Sequence, residues 1–166
     1  MTISTRSRLV LFAALALAAL VLTVGASGKR GHGRGPDGKL FSARLAGSIL
    51  SDPAIHTVTR GGVPWDLRRG STSLSRKGAF ELEVKGLVVA GTNNPDGVTT
   101  ISASLFCAPD SDATPKFTVG PVPLSSRGNA EIEQTVTVPS RCLAPVVLVH
   151  PNGNAARYIA AMGFQT

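Results

Sequence analysis

The chain has 166 residues, of which 43% are hydrophobic, 16% charged and 5% aromatic, with 18 glycines, 11 prolines, two cysteines and a formal net charge of +7. Charge this sparse excludes a disordered polyelectrolyte, two cysteines exclude a disulfide-dense miniprotein, and no glycine period points to collagen. One globular domain remains, because dividing this length in two would leave cores too small to hold themselves together.

Residues 1–28 read as a secretory signal peptide. Arg6 and Arg8 form a basic start, Leu9 to Val24 an uncharged apolar run, and Gly25 to Gly28 a small-residue end suited to cleavage after Ala26 or Gly28. No cysteine follows the run to carry a lipid. As a helix the run would reach roughly 24 Å, short of the roughly 30 Å hydrocarbon core, so a cleaved leader is expected over an uncleaved N-terminal anchor. The expected location is outside the cytoplasm.

The next segment, 29–39, is Gly-rich and basic, with Lys29, Arg30, Arg34 and Lys39 against Asp37. It reads as a solvated linker, with loose attraction to anionic wall polymer or lipid headgroups as its partner chemistry. Nucleic acid is not expected, because the cations are not interleaved with aromatics and the chain is exported. Residues 40–166 form the expected folded domain.

Period-two alternation dominates that domain. Phe80, Leu82 and Val84 alternate with Glu81, Glu83 and Lys85; Ile101, Ala103, Leu105 and Cys107 with Thr100, Ser102 and Ser104; Ile132, Val136 and Val138 with Glu131, Glu133, Thr135 and Thr137. Each run predicts a half-buried strand. Weaker strands are expected at 41–50, 55–59, 71–75, 116–122, 145–150 and 157–164, separated by Gly-, Pro-, Asn- and Asp-rich turns. Strands this short and this regularly spaced predict an all-β fold of seven to nine strands with almost no helix.

Cys107 and Cys142, an even count in an exported chain, predict one disulfide. Closing that loop is worth roughly 3–4 kcal/mol in the chain-entropy view. A bridge from the 99–107 strand to the segment after Val138 favours a single antiparallel β-sandwich, immunoglobulin-like in architecture, over a barrel. One internal echo stands out: Leu74 to Glu83 and Leu124 to Glu133 align at an offset of 50, sharing Leu-Ser, a turn glycine (Gly78, Gly128) and both Glu positions. Duplication and convergent hairpin chemistry both account for it.

Val63-Pro-Trp-Asp-Leu67, the hairpin around Gly78, Gly86-Leu-Val-Val89, Ser104-Leu-Phe-Cys107, Cys142-Leu-Ala-Pro-Val-Val147 and Arg157-Tyr-Ile-Ala-Ala161 together resemble a group of small exported bacterial proteins common in actinobacteria. The resemblance spans most of residues 40–166 and implies export and a β fold. It implies no activity and no site.

The usual chemistries leave little trace. No Gly-x-Ser-x-Gly accompanies His32, His56 or His150, so no catalytic residue is assigned. HxxxH, HExxH and CxxC are absent, and no metal or cofactor is expected. Asn93, Asn94 and Asp96, and Asp110 and Asp112, are loop oxygens of the kind that hold calcium, but with so few carboxylates they read as turn formers. Glu81, Glu83, Glu131 and Glu133, the only glutamates, fall on solvated strand faces rather than in a glycosidase cleft. The expectation is an exported, non-enzymatic β-domain with a structural or interaction role. Its alternatives are a small secreted hydrolase using His56 or His150, and a wall- or carbohydrate-binding module using Trp65 together with the basic tail, Tyr158 being the only other ring suited to stacking on a sugar.

Overall fold

A computed structural model describes residues 38–165. The expected signal peptide, 1–28, its helix, and linker residues 29–37 lie outside them. The strands are β1 (Lys39–Gly47), β2 (Thr59–Arg60), β3 (Trp65–Ser75), β4 (Ala79–Val89), β5 (Thr100–Phe106), β6 (Phe117–Pro123), β7 (Ala130–Thr135), β8 (Val146–Pro151), β9 (Arg157–Tyr158) and β10 (Ala160–Met162). No helix occurs among the described residues. The all-β expectation therefore holds.

Eight strands form one antiparallel sheet in the order β6-β5-β8-β10-β1-β3-β4-β7, and β2 and β9 make a short parallel pair. The sequence suggests two separate sheets, whereas here the hydrogen bonding runs unbroken from edge to edge. The reason lies in β1, whose first half pairs with β3 and whose last three residues pair with β10. A strand shared in this way turns a corner between layers. The sheet rolls until its two edges approach, nearly a barrel. Across the seam the Gly120 N–H donates to Oε1 of Gln134 at 3.1 Å, and Phe80 meets Phe117 edge-to-face at 5.3 Å.

Inside lies the main core, including Phe80, Leu82, Val84, Ile101, Leu105, Ile132, Val147 and Val149. Alternation predicts the inward sides of β4, β5 and β7 correctly. It fails midway along β4. The inward residues run Phe80, Leu82, Val84 and then Leu87, with Val89 packed behind. On β3 they run Leu74, then Leu67 and Trp65. The register between the two strands never slips. The parity changes at Gly86, whose φ of +70° an extended L-residue does not adopt. Between the two inward sets, Arg68 and Arg69 are both left outside.

The echo acquires a physical meaning here. Its two copies lie side by side and antiparallel, with Leu82 opposite Ile132, Glu81 opposite Glu133 and Glu83 opposite Glu131. A local two-fold through the Leu82–Ile132 pair relates them. The turns match as well: Ala79 N–H donates to Ser75 Oγ and Asn129 N–H to Ser125 Oγ, both at 3.0 Å. Each turn glycine also seats on the opposite strand, the Gly78 carbonyl accepting from Val136 N–H and the Gly128 carbonyl from Leu87 N–H, both at 2.9 Å.

A second, smaller cluster of Val58, Phe106, Leu148 and Tyr158 sits on the outer side of β5 and β8. The chain between β1 and β3 folds back over that side, held by Tyr158 Oη donating to the Pro53 carbonyl at 2.7 Å. Ser102 and Ser104, which alternation places toward solvent, are buried beneath it. The expected strand at 55–59 is instead a tight bridge between Ile55 and Val58, because His56 and Thr57 take positive φ. Cys107 and Cys142 form the expected disulfide, with Cα atoms 5.2 Å apart.

The turn geometry makes a paired prediction. Gly91 and Gly128 both have positive φ, but a Cβ at Gly91 meets nothing within 4 Å, whereas at Gly128 it falls 2.2 Å from the Leu87 carbonyl oxygen. Urea unfolding should show Gly91→Ala losing about 1–2 kcal/mol, the left-handed penalty alone. Gly128→Ala should lose about 1–3 kcal/mol more from overpacking. Equal losses would mean that the turn does not sit on β4.

Candidate functional site

The parity change at Gly86 also shapes the surface. Arg68, opposite Gly86, and Arg69, opposite Lys85, stand on neighbouring positions of the same ladder. Lys85 is held by Glu83. Arg68 is common to two adjoining hollows, one continued by Arg44 and Arg69, the other by Arg127 and Asp66. Together they form an open cleft along the outside of β1, β3 and β4. The core residues Leu45 and Leu67 lie beneath it, and Phe164, 77% exposed, stands at its rim.

Gly86 leaves room beside Arg68, since a Cβ there would come within 3.1 Å of Arg68 Cβ; buried Gly70 instead permits close packing beneath, where a Cβ would come within 2.6 Å of the Leu67 side chain and 2.8 Å of Leu45. Among the described residues, no side-chain hydrogen bond or ion pair engages Arg44, Arg68, Arg69 or Arg127. Alternation and motif spacing alone do not single out these four. Their one signal is the pair Arg68-Arg69, two adjacent cations where alternation calls for one apolar residue.

The residues weighed from sequence go elsewhere. His150 is 0% exposed; its Nδ1 lies 2.7 Å from the Arg157 carbonyl and its Nε2 3.0 Å from Ser104 Oγ, which lies 2.8 Å from Thr118 Oγ1. A proton on Nδ1 donates to that carbonyl, leaving Nε2 to accept from the serine. This is a histidine–hydroxyl pair, but a backbone carbonyl, not a carboxylate, orients it, and Ser104 is only 1% exposed. Burial holds the His150 pKa below its ordinary value, against the opposing pull of the Arg157 carbonyl.

His56 is also buried, stacked on Phe106 at 5.0 Å between ring centres. Asp110 Oδ1 accepts from its backbone N–H at 2.7 Å, and its Nδ1 lies 3.0 Å from the Asp112 carbonyl. Asp112 Oδ1 accepts from Thr114 N–H, and Oδ2 from Lys116; the Thr114 bond, then Lys116, hold its pKa below the usual carboxylate value. In the 93–97 turn, Asn94 Oδ1 accepts from Asp96 N–H. Asn94 and Asp112 thus build local turns, whereas Asp110 ties its loop to the backbone of His56. Among the described residues no three His, Cys, Asp or Glu side chains stand together as a metal site.

Trp65, 3% exposed, and Tyr158 are core residues and offer no face for a sugar to stack on. Glu81, Glu83, Glu131 and Glu133 face outward, opposite one another in two cross-strand pairs. Like charges so placed repel. Lys39 to Glu81, Lys85 to Glu83 and a hydrogen bond from Ser73 Oγ to Glu81 offset part of that. Compared with known proteins, the chain matches no family model, no curated protein and no solved structure.

A buried, neutral His150 sets a pH dependence. The unfolded chain takes up a proton at this group near pH 6.5, whereas the fold resists it. Stability contributed here is thus complete above that pH and declines as pH falls through and below it. Urea midpoints measured from pH 7.5 to 5 should decline in the wild type and decline less in His150→Gln. Parallel profiles would show that His150 is not the group responsible.

Proposed function

We propose that this is an exported, non-enzymatic β-domain that acts by binding, at the cell surface or outside the cell. One contrast carries the reading: His56, His150 and Ser104 are built into the interior, while four guanidinium groups line an open cleft without partners among the described residues; His32 lies outside those residues. The disulfide is consistent with an oxidising compartment. Membership of the group of small exported actinobacterial proteins, through the motifs from Val63 to Ala161, belongs to the same reading. So does a two-layered, sandwich-like fold of immunoglobulin type, favoured by the shared β1 and by a cystine joining the end of β5 to the segment that leaves β7.

Fractionation of cells producing the full chain tests the proposal. The protein should be found outside the cytoplasm with both thiols oxidised, and should sediment with purified wall fractions without turning over ester or glycoside reporters. Reduced cysteines in a cytosolic protein, or esterase activity abolished by His150→Ala, would overturn it.

A further inference from the structure

We propose that the arginine cleft binds a linear polyanion, a polymer bearing phosphate or carboxylate groups at short, regular intervals. The inference rests on the reading of the chain as a binding domain and names the ligand class of that same cleft.

Three features define the ligand. The first is charge: Arg44, Arg68, Arg69 and Arg127 line two adjoining hollows that meet at Arg68, with Asp66 the only acid lining them, at the Arg127 end. Unpaired arginines gathered in this way repel one another, and an anion removes that repulsion. A guanidinium fork matches a phosphate or carboxylate with two parallel hydrogen bonds, which favours arginine over lysine for direct contact. The four glutamates line the next hollow along the sheet, which meets the hollow of Arg44 and Arg69 at Ser71; Glu81 and Glu83 pair with Lys39 and Lys85, and among the described residues none of the four pairs with the arginines.

The second is shape. Gly86 leaves room beside Arg68 that a Cβ would fill, and none of the four arginines is buried. A small isolated anion is held by enclosure, with donors converging on one point. Here the donors are strung along the cleft on β1, β3 and the turn before β7. Residues two apart on a strand lie about 7 Å from each other and neighbouring strands about 5 Å apart, a spacing suited to successive charges on one polymer. The third is an apolar edge. Phe164, 77% exposed at the rim, offers contact to the sugar or polyol carbons between charges.

The test measures binding of the purified full chain, at low and at physiological salt, to long-chain inorganic polyphosphate, to polygalacturonate and to inorganic phosphate. Phosphatidylglycerol vesicles serve as the membrane arm. At least one polymer should bind at least tenfold more tightly than inorganic phosphate at equal anion concentration, weakening as salt rises, and the tighter polymer identifies the anion. Arg68→Glu with Arg69→Glu should weaken that binding tenfold or more, and Arg68→Gln with Arg69→Gln should weaken it less. Arg76→Glu with Arg141→Glu, the same charge change on another face, should alter it under threefold.

Unfolding midpoints close to wild type keep each variant interpretable. Equal loss in cleft and control pairs, loss caused only by neutralising Lys29, Arg30 and Arg34, or binding confined to vesicles would each overturn the assignment. In those cases the protein still binds, so the broader reading survives. A wild-type chain that binds neither polymer nor wall fractions would overturn both.

Discussion

Strand β4 cannot keep one alternation from end to end, and the constraint that stops it is the left-handed backbone at Gly86. Before it, Phe80, Leu82 and Val84 face the core; after it, Leu87 does. Because β3 stays in register, its own inward set changes at the same level, from Leu74 to Leu67 and Trp65. Burial of Trp65 and Leu87 and exposure of Arg68 and Arg69 are therefore one event. Any side chain at Gly86 would meet the strain of positive φ as well as Arg68. Core and cleft are set by the same residue.

Several polar groups away from the cleft are absorbed by the architecture, although the Ser48 and Thr72 hydroxyls are buried without a partner among the described residues. The segment between β1 and β3 lies on the outer side of β5 and β8 and converts their solvent side into a second interior. Serine and histidine side chains so enclosed must find partners, since an unpaired buried donor or acceptor costs about 1–3 kcal/mol. His150, Ser104 and Thr118 satisfy one another in a chain that ends on the Arg157 carbonyl. The geometry resembles half of a hydrolase site, yet burial explains it fully. His56 is consumed in the same way by the loop that carries Asp110 and Asp112.

Where alternation was clean the sequence was legible: β4 up to Val84, the inward side of β5, and β7. The disulfide followed from two cysteines alone. Rolling of the sheet was not legible, because handing β1 from one partner to another leaves no mark in composition. Ser102 and Ser104 look like surface residues because the covering segment comes from some fifty positions earlier in the chain. The cleft was hidden for a related reason. Arg44, Arg68, Arg69 and Arg127 sit in three separate stretches, and only the register of β1 against β3, with the Gly128 turn seated on Leu87, brings them to one surface. The echo was visible as a pattern, but its pairing across a local two-fold required the β4–β7 ladder.

Binding in the proposed manner requires that one cleft, made by the parity change at Gly86, gather the arginines that meet the polyanion. Dicarbonyl modification of arginines, mapped by mass spectrometry with and without saturating polyphosphate, tests it most directly. The account predicts protection of Arg44, Arg68, Arg69 and Arg127, while Arg76, Arg141 and Arg157 react as before. Uniform protection of all seven, or protection of Arg30 and Arg34 alone, would contradict it.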